Sequence, residues 1–152
     1  MKFYRYLTLV AAVVLSFFTA RAQNQQPQTP EQQEKQLLEF IDKEVARLSS
    51  QLDLEYWQEF YVDSTLNHDY HAMQEEMKEL QQAKVGNADL YISVQDKWMQ
   101  KVADSYQRFF SEDQWKKYLK NGGARAQKAR DKRREKALKA AAELKNSLSL
   151  QD

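Results

Sequence analysis

Cysteine is absent from all 152 residues, and only three glycines, two prolines and two histidines occur. Without cysteine there can be no disulfide framework and no lipid-bearing cysteine, so stability has to come from packing. Three glycines and two prolines are too few to punctuate a many-stranded β fold, and they leave no loop to cradle a phosphate. Gln, Glu, Lys, Ala and Leu fill the chain instead, and all of them favour helices. The class that remains is all-α.

A long apolar run is missing too. The most apolar stretch, Leu7 to Phe18, covers 12 residues, whereas a membrane-spanning helix needs roughly 20. Lys2 and Arg5 precede it and Ala20-Arg21-Ala22 follows, which is the layout of a secretory signal peptide over residues 1–22, cleaved after Ala22. The expected location is therefore periplasmic or secreted, and nucleic acid is not an expected partner. Residues 23–29, QNQQPQT, read as a flexible linker.

Net charge is close to zero only in the sum. Residues 23–115 carry 8 Lys and Arg against 18 Asp and Glu, while 116–152 carry 12 against 4. An acidic body is thus joined to a basic end.

Beyond the linker, Thr29-Pro30-Glu31-Gln32 combines a capping hydroxyl, a first-turn proline and a glutamine able to close a capping box. The helix it opens carries Leu37, Ile41, Val45, Leu48 and Leu52 on one face, widened by Leu38 and Phe40. Val62, Leu66, Tyr70, Met73, Met77 and Leu80 form a second stripe, ended at Val85-Gly86-Asn87 with Gly86 as the left-handed residue. Tyr91, Val94, Trp98, Val102, Tyr106 and Phe109 form the return stripe, so these two helices are expected to pair as an antiparallel hairpin. Asn121-Gly122-Gly123 stops or bends the next helix. The expectation is an antiparallel hairpin or bundle of three to four amphipathic helices over 30–121, followed by a basic, alanine-rich helical tail over 122–152. Only a thin line of Ala137, Ala141, Leu144 and Leu148 gives that tail an apolar side.

One outline occurs twice, 58 residues apart: LDLEYWQEFY at 52–61 and FSEDQWKKYL at 110–119. With Asp53 and Ser111 as N-caps, Leu52 and Phe110 precede the caps and Trp57 and Trp115 fall at the fourth helical position, the arrangement of a hydrophobic staple. Both segments are expected to launch helices. FSEDQ, with Ser111 and Gln114, resembles the LTxxQ motif of the Spy/CpxP-like periplasmic proteins, and LDLEY keeps the hydrophobe and the cap but places Tyr56 where that family has Gln. The resemblance spans about residues 30–120. It implies a helical hairpin that dimerises into a shallow cradle and either shields unfolding clients without ATP or reports envelope stress to a membrane sensor.

Chemistry-bearing constellations are sparse. His68, His71 and Glu75 lie at i, i+3 and i+7 on one helical face, the spacing of a weak metal candidate, but ligands from one helix leave coordination incomplete. No metal or other cofactor is expected. Asp63, Ser64 and His68 bring acid, hydroxyl and base together in sequence, yet helix-interior N–H groups cannot form an oxyanion hole. The chain is therefore not read as an enzyme. Most aromatics, Trp57, Tyr61, Tyr70, Tyr91, Trp98, Tyr106 and Trp115 among them, sit on the apolar stripes and are expected in the core. Tyr56 and Phe60 are in excess of the stripes and mark an expected contact patch. Arg130, Lys132, Arg133 and Arg134 in KARDKRREK are the second partner-binding candidate, for an acidic protein or a membrane surface. The function expected is a non-enzymatic helical binding protein, chaperone-like or an envelope-stress accessory, with a protein client or envelope partner and a homodimer among its states. The alternatives are an adaptor that holds one fixed partner through the basic tail, and a metal-binding accessory.

Overall fold

The computed structural model describes residues 29–149. The expected signal peptide and all of the expected linker except Thr29 lie outside the described residues. Five α-helices and one π-helical turn follow in order: α1 (Pro30–Leu52), α2 (Tyr56–Gln82), α3 (Ala88–Phe109), α4 (Glu112–Tyr118), the π turn Leu119–Gly123, and α5 (Ala124–Ser149). Among the described residues the fold is an all-α helical bundle.

The chain divides into two compact units between Leu37 and Leu38. Within the first, α1 is opened by a reciprocal capping box: the Gln32 N–H donates to Thr29 Oγ1 at 3.3 Å and the Thr29 N–H donates to Gln32 Oε1 at 3.0 Å.

Everything from Leu38 on belongs to the second unit, basic tail included. There α1 runs antiparallel to α2, as two ties at opposite ends require: the Phe40 ring lies 5.3 Å from Tyr70, and the Ser49 hydroxyl donates to Glu59. Ile41, Leu48 and Leu52 are buried, whereas Val45 is half-buried and Leu38 exposed. In the α2–α3 hairpin, Val62, Leu66, Tyr70, Met73 and Met77 meet burial on one helix and Val94, Trp98, Val102 and Tyr106 on the other. Fully burying one such aliphatic side chain contributes about 1.5–3 kcal/mol, so the two stripes are the main source of stability. Polar ties fix the register: Tyr70 Oη to Met99 Sδ at 3.7 Å, and the Trp98 indole donating to Glu76 Oε2 at 2.7 Å. Lys97 joins the same carboxylate, and Lys101 Nζ stands 3.7 Å above the Trp98 ring.

Two helix ends differ from the sequence expectation. The residue that leaves α2 through the left-handed region is Lys84, at φ 53°, not Gly86. The Val85 N–H bonds Leu80 O at 3.0 Å and the Lys84 N–H bonds Gln81 O at 2.9 Å, a complete Schellman closure placed where the buried stripe stops. Asp53 does the same for α1 at φ 52°, with the Leu54 N–H on Ser49 O at 3.2 Å. Asp53 is thus a helix terminator and not the N-cap of α2, which is Glu55.

The tail does not stop at the glycines; it bends. Gly122 sits at φ 120°, ψ −13°, a conformation that side chains oppose, and a Cβ on Gly123 would come within 2.6 Å of the Tyr118 ring. The bend lays the first turns of α5 on α3: Arg130 Nε donates to Gln100 Oε1 at 3.2 Å, and Arg133 forms a bidentate pair with Asp96, both bonds 2.6 Å. From Asp131 to Glu143 every α5 residue is exposed.

Candidate functional site

The two launch segments meet in space, in a register shifted from the expected one. With Glu55 and Ser111 as N-caps, the matching segments are LEYWQ (54–58) and FSEDQ (110–114), and the paired third helical residues are Gln58 and Gln114, 56 residues apart. Each glutamine accepts the N–H of its own cap residue: Glu55 at 3.0 Å, Ser111 at 2.9 Å. Each also bonds the other, Gln58 Nε2 to Gln114 Oε1 at 2.7 Å and Gln114 Nε2 to Gln58 Oε1 at 2.9 Å. The remaining N–H of Gln58 reaches Phe109 O at 2.8 Å, and that of Gln114 points to Asp53 O at 3.4 Å. The exchange is nearly symmetric, and Gln58 is only 3% exposed. Lys117 closes the junction on Asp53 Oδ2 at 2.9 Å. Sequence reasoning missed Gln58, although its signal was present: hydrophobe, cap, two residues, glutamine, in both segments.

Trp57 and Trp115 consequently part ways. Trp115 holds the fourth helical position and stacks on Tyr118, 5.1 Å between centroids. Trp57 is the second helical residue of α2, not the fourth; it is half exposed and its indole donates to the Glu55 carboxylate at 2.7 Å. A chain of ring contacts runs from Trp115 through Tyr118, Tyr106 and Phe109 to Tyr61, and from Tyr61 to Trp57 at 6.1 Å and Phe60 at 5.8 Å. Burial pushes the Tyr106 hydroxyl far above its ordinary pKa and the Tyr118 hydroxyl upward as well.

That chain of rings ends in water. Tyr56 is 87% exposed and Phe60 62%, and Tyr61 and Trp57, expected in the core, are about half exposed. The first turns of α2 stand at a corner where α1 has just ended, and among the described residues no helix covers their outer face. Beside them an open groove of about 620 Å³ runs between α1 and α2, with Val45, Ala46, Tyr56 and Phe60 as its apolar lining and Asp42, Glu59 and Asp63 as its carboxylates. Among the described residues no lysine or arginine lines it.

The basic candidates divide. Arg130 is 9% exposed and its Nη2 is buried with no hydrogen-bond partner, and Arg133 is tied to Asp96, so these two are not offered to a partner. The Gly122 bend that turns α5 onto α3 is the reason. Lys132 and Arg134 are exposed, Arg134 in a short-range pair with Asp131 at 2.9 Å.

His68 Nδ1 lies 2.8 Å from Asp69 Oδ1, His71 Nδ1 lies 2.6 Å from Asn67 O, and Glu75 pairs with Lys78 at 3.6 Å. Among the described residues no group of three or more His, Cys, Asp or Glu side chains is arranged to hold a metal ion. The Asp63 carboxylate accepts from Asn67 at 3.1 Å, and His68 turns to Asp69, so Asp63, Ser64 and His68 do not assemble. Among the described residues no helix is long and apolar enough to cross a membrane. Comparison with protein-family models, with curated proteins and with solved structures found no match.

Proposed function

We propose that this chain is an exported, non-enzymatic helical binding protein of chaperone-like type, which holds apolar segments of client proteins against the corner of α1 and α2. The observation that carries this reading is the exposed aromatic cluster of Tyr56, Trp57, Phe60 and Tyr61 beside an acid-rimmed groove. Large exposed apolar patches with a polar rim are typical of contact surfaces. The rings are also backed by a packed aromatic cluster, so the patch is presented on a rigid support and loses little side-chain entropy on contact. The LTxxQ resemblance supports the same reading, since the junction of Gln58 and Gln114 holds the patch in place.

Light scattering of two unrelated aggregating proteins tests it. The chain is expected to slow both, and Tyr56→Ser with Phe60→Ser is expected to abolish most of the effect while leaving the melting transition in place. A chain that protects neither client but retains a single envelope protein in a crosslinked pull-down is an adaptor, and the proposal then fails.

A further inference from the structure

The acid-rimmed groove and the basic arm are complementary surfaces that one chain cannot bring together. α5 carries nine Lys and Arg against three Asp and Glu, and Leu138 stands 65% exposed on it. Arg134 one turn before and Lys145 two turns after share the Leu138 face, with Ala141 between them. That face is a small apolar strip flanked by cations. The groove offers the inverse: its lining combines Val45, Ala46 and Phe60 with the carboxylates Asp42, Glu59 and Asp63.

Direction decides which copy supplies the arm. Arg130 bonds Gln100 and, one turn on, Arg133 bonds Asp96, so α5 travels toward the start of α3. In the antiparallel hairpin, Met99 stands opposite Tyr70 and Lys97 opposite Glu76, which puts the start of α3 beside the end of α2. The groove is at the other end of α2, around Tyr56 to Asp63. Past Arg133 the arm therefore leads away from its own groove. Residues 134–149 extend about 24 Å as a helix.

We infer that the basic arm of a second copy of this chain lies in the groove between α1 and α2, with Leu138 against Val45, Ala46 and Phe60 and with Arg134 and Lys145 facing Asp42 and Asp63. When each copy gives its arm to the other, the contact is two-fold symmetric and closes as a dimer. This is a helix-in-groove contact. It uses α5, which lies beyond the segment that resembles the Spy/CpxP-like proteins, and so differs from a cradle made by the hairpins. Client and arm then compete for one groove, but the inference stands without any client, because association is measured on the purified protein alone.

The absence of cysteine makes the contact easy to map. Ala46→Cys chains mixed with Leu138→Cys chains under mild oxidation are expected to give disulfide-linked pairs in at least about tenfold higher yield than Gln74→Cys chains mixed with Leu138→Cys, since Gln74 lies on α2 away from the groove. Sedimentation is expected to show a dimer in low salt that dissociates near 1 M salt, where the Debye length falls to about 3 Å. Asp42→Lys with Asp63→Lys, and separately Arg134→Glu with Lys145→Glu, should each weaken association at least about tenfold, and an equal mixture of the two variants should associate again, because reversed groove meets reversed arm. A chain that sediments as a monomer at every concentration in low salt overturns the inference. So does a dimer indifferent to both reversals, or equal disulfide yields at Ala46 and Gln74.

Discussion

Gln58 and Gln114 use every hydrogen-bonding group they have at one point of the structure: two N–H donors and an oxygen each, shared between a cap residue, the partner glutamine and a carbonyl of the facing segment. Such a set is high-stakes, because removing one member strands the others in a half-buried site. Gln58→Ala is expected to cost about 2 kcal/mol in urea denaturation. The double variant with Gln114→Ala should cost less than the sum of the singles by about 1 kcal/mol. Strict additivity would mean that the glutamines cap their own helices and nothing more. The sequence made the repeat visible but not its register. Asp53 is as good a capping residue as Ser111 by type, and only the left-handed Asp53, forced by the end of the α1 stripe at Leu52, moves the cap to Glu55.

Elements were legible wherever burial has a period. The stripes through Ile41, Leu66, Trp98 and Tyr106 name most of the buried side chains, because a helix packed along its length must repeat every three or four residues. Helix ends were less legible, since Lys84 takes a conformation usual for glycine while Gly86, two residues on, does not. The aromatics failed in the same way: Trp57 and Tyr61 have the spacing of core residues, and only the three-dimensional corner leaves them uncovered. At this scale the hairpin has an alkaline limit set by its buried tyrosines. Burial holds Tyr70 and Tyr106 protonated well above the ordinary tyrosine range. In the unfolded chain they ionise near about pH 10. Above that pH the folded state binds more protons than the unfolded one, so stability falls as pH rises. Thermal melting is expected to hold steady up to about pH 9 and decline beyond it, and the decline should be shallower in Tyr106→Phe. An equal slope in that variant would place the alkaline loss elsewhere. Glu76 works in the opposite direction: Lys97 and then Trp98 hold its carboxylate below the usual range, so its contribution is present at neutral pH and is lost on acidification.

For the molecule from Leu38 on, the charge split becomes a statement about one helix that is docked at its start and exposed after it. Sequence located the basic run, but the run hides two roles that composition cannot separate. Arg130 and Arg133 belong to the α3 contact, whereas Lys132, Arg134 and the residues from there to Glu143 face water. The docking side chain Asp96 carries no signal of its own, being one of three aspartates on α3. Its side chain is largely covered while that of Arg133 is about half exposed, and a pair in such a position contributes about 0.5–1 kcal/mol to holding the arm. Asp96→Asn is therefore expected to raise the rate of tryptic cleavage between Lys128 and Arg134 about two- to fivefold, because proteolysis follows the population of the opened arm. The urea midpoint of the body should change little, since the hairpin core is untouched. Salt near 1 M should bring the wild-type rate up toward that of the variant, as the Debye length shrinks to about 3 Å. If Asp96→Asn leaves cleavage unchanged, the arm is held by the Gly122 bend and the packing of Gly123 under Tyr118, and the ion pair merely accompanies a position set by the backbone.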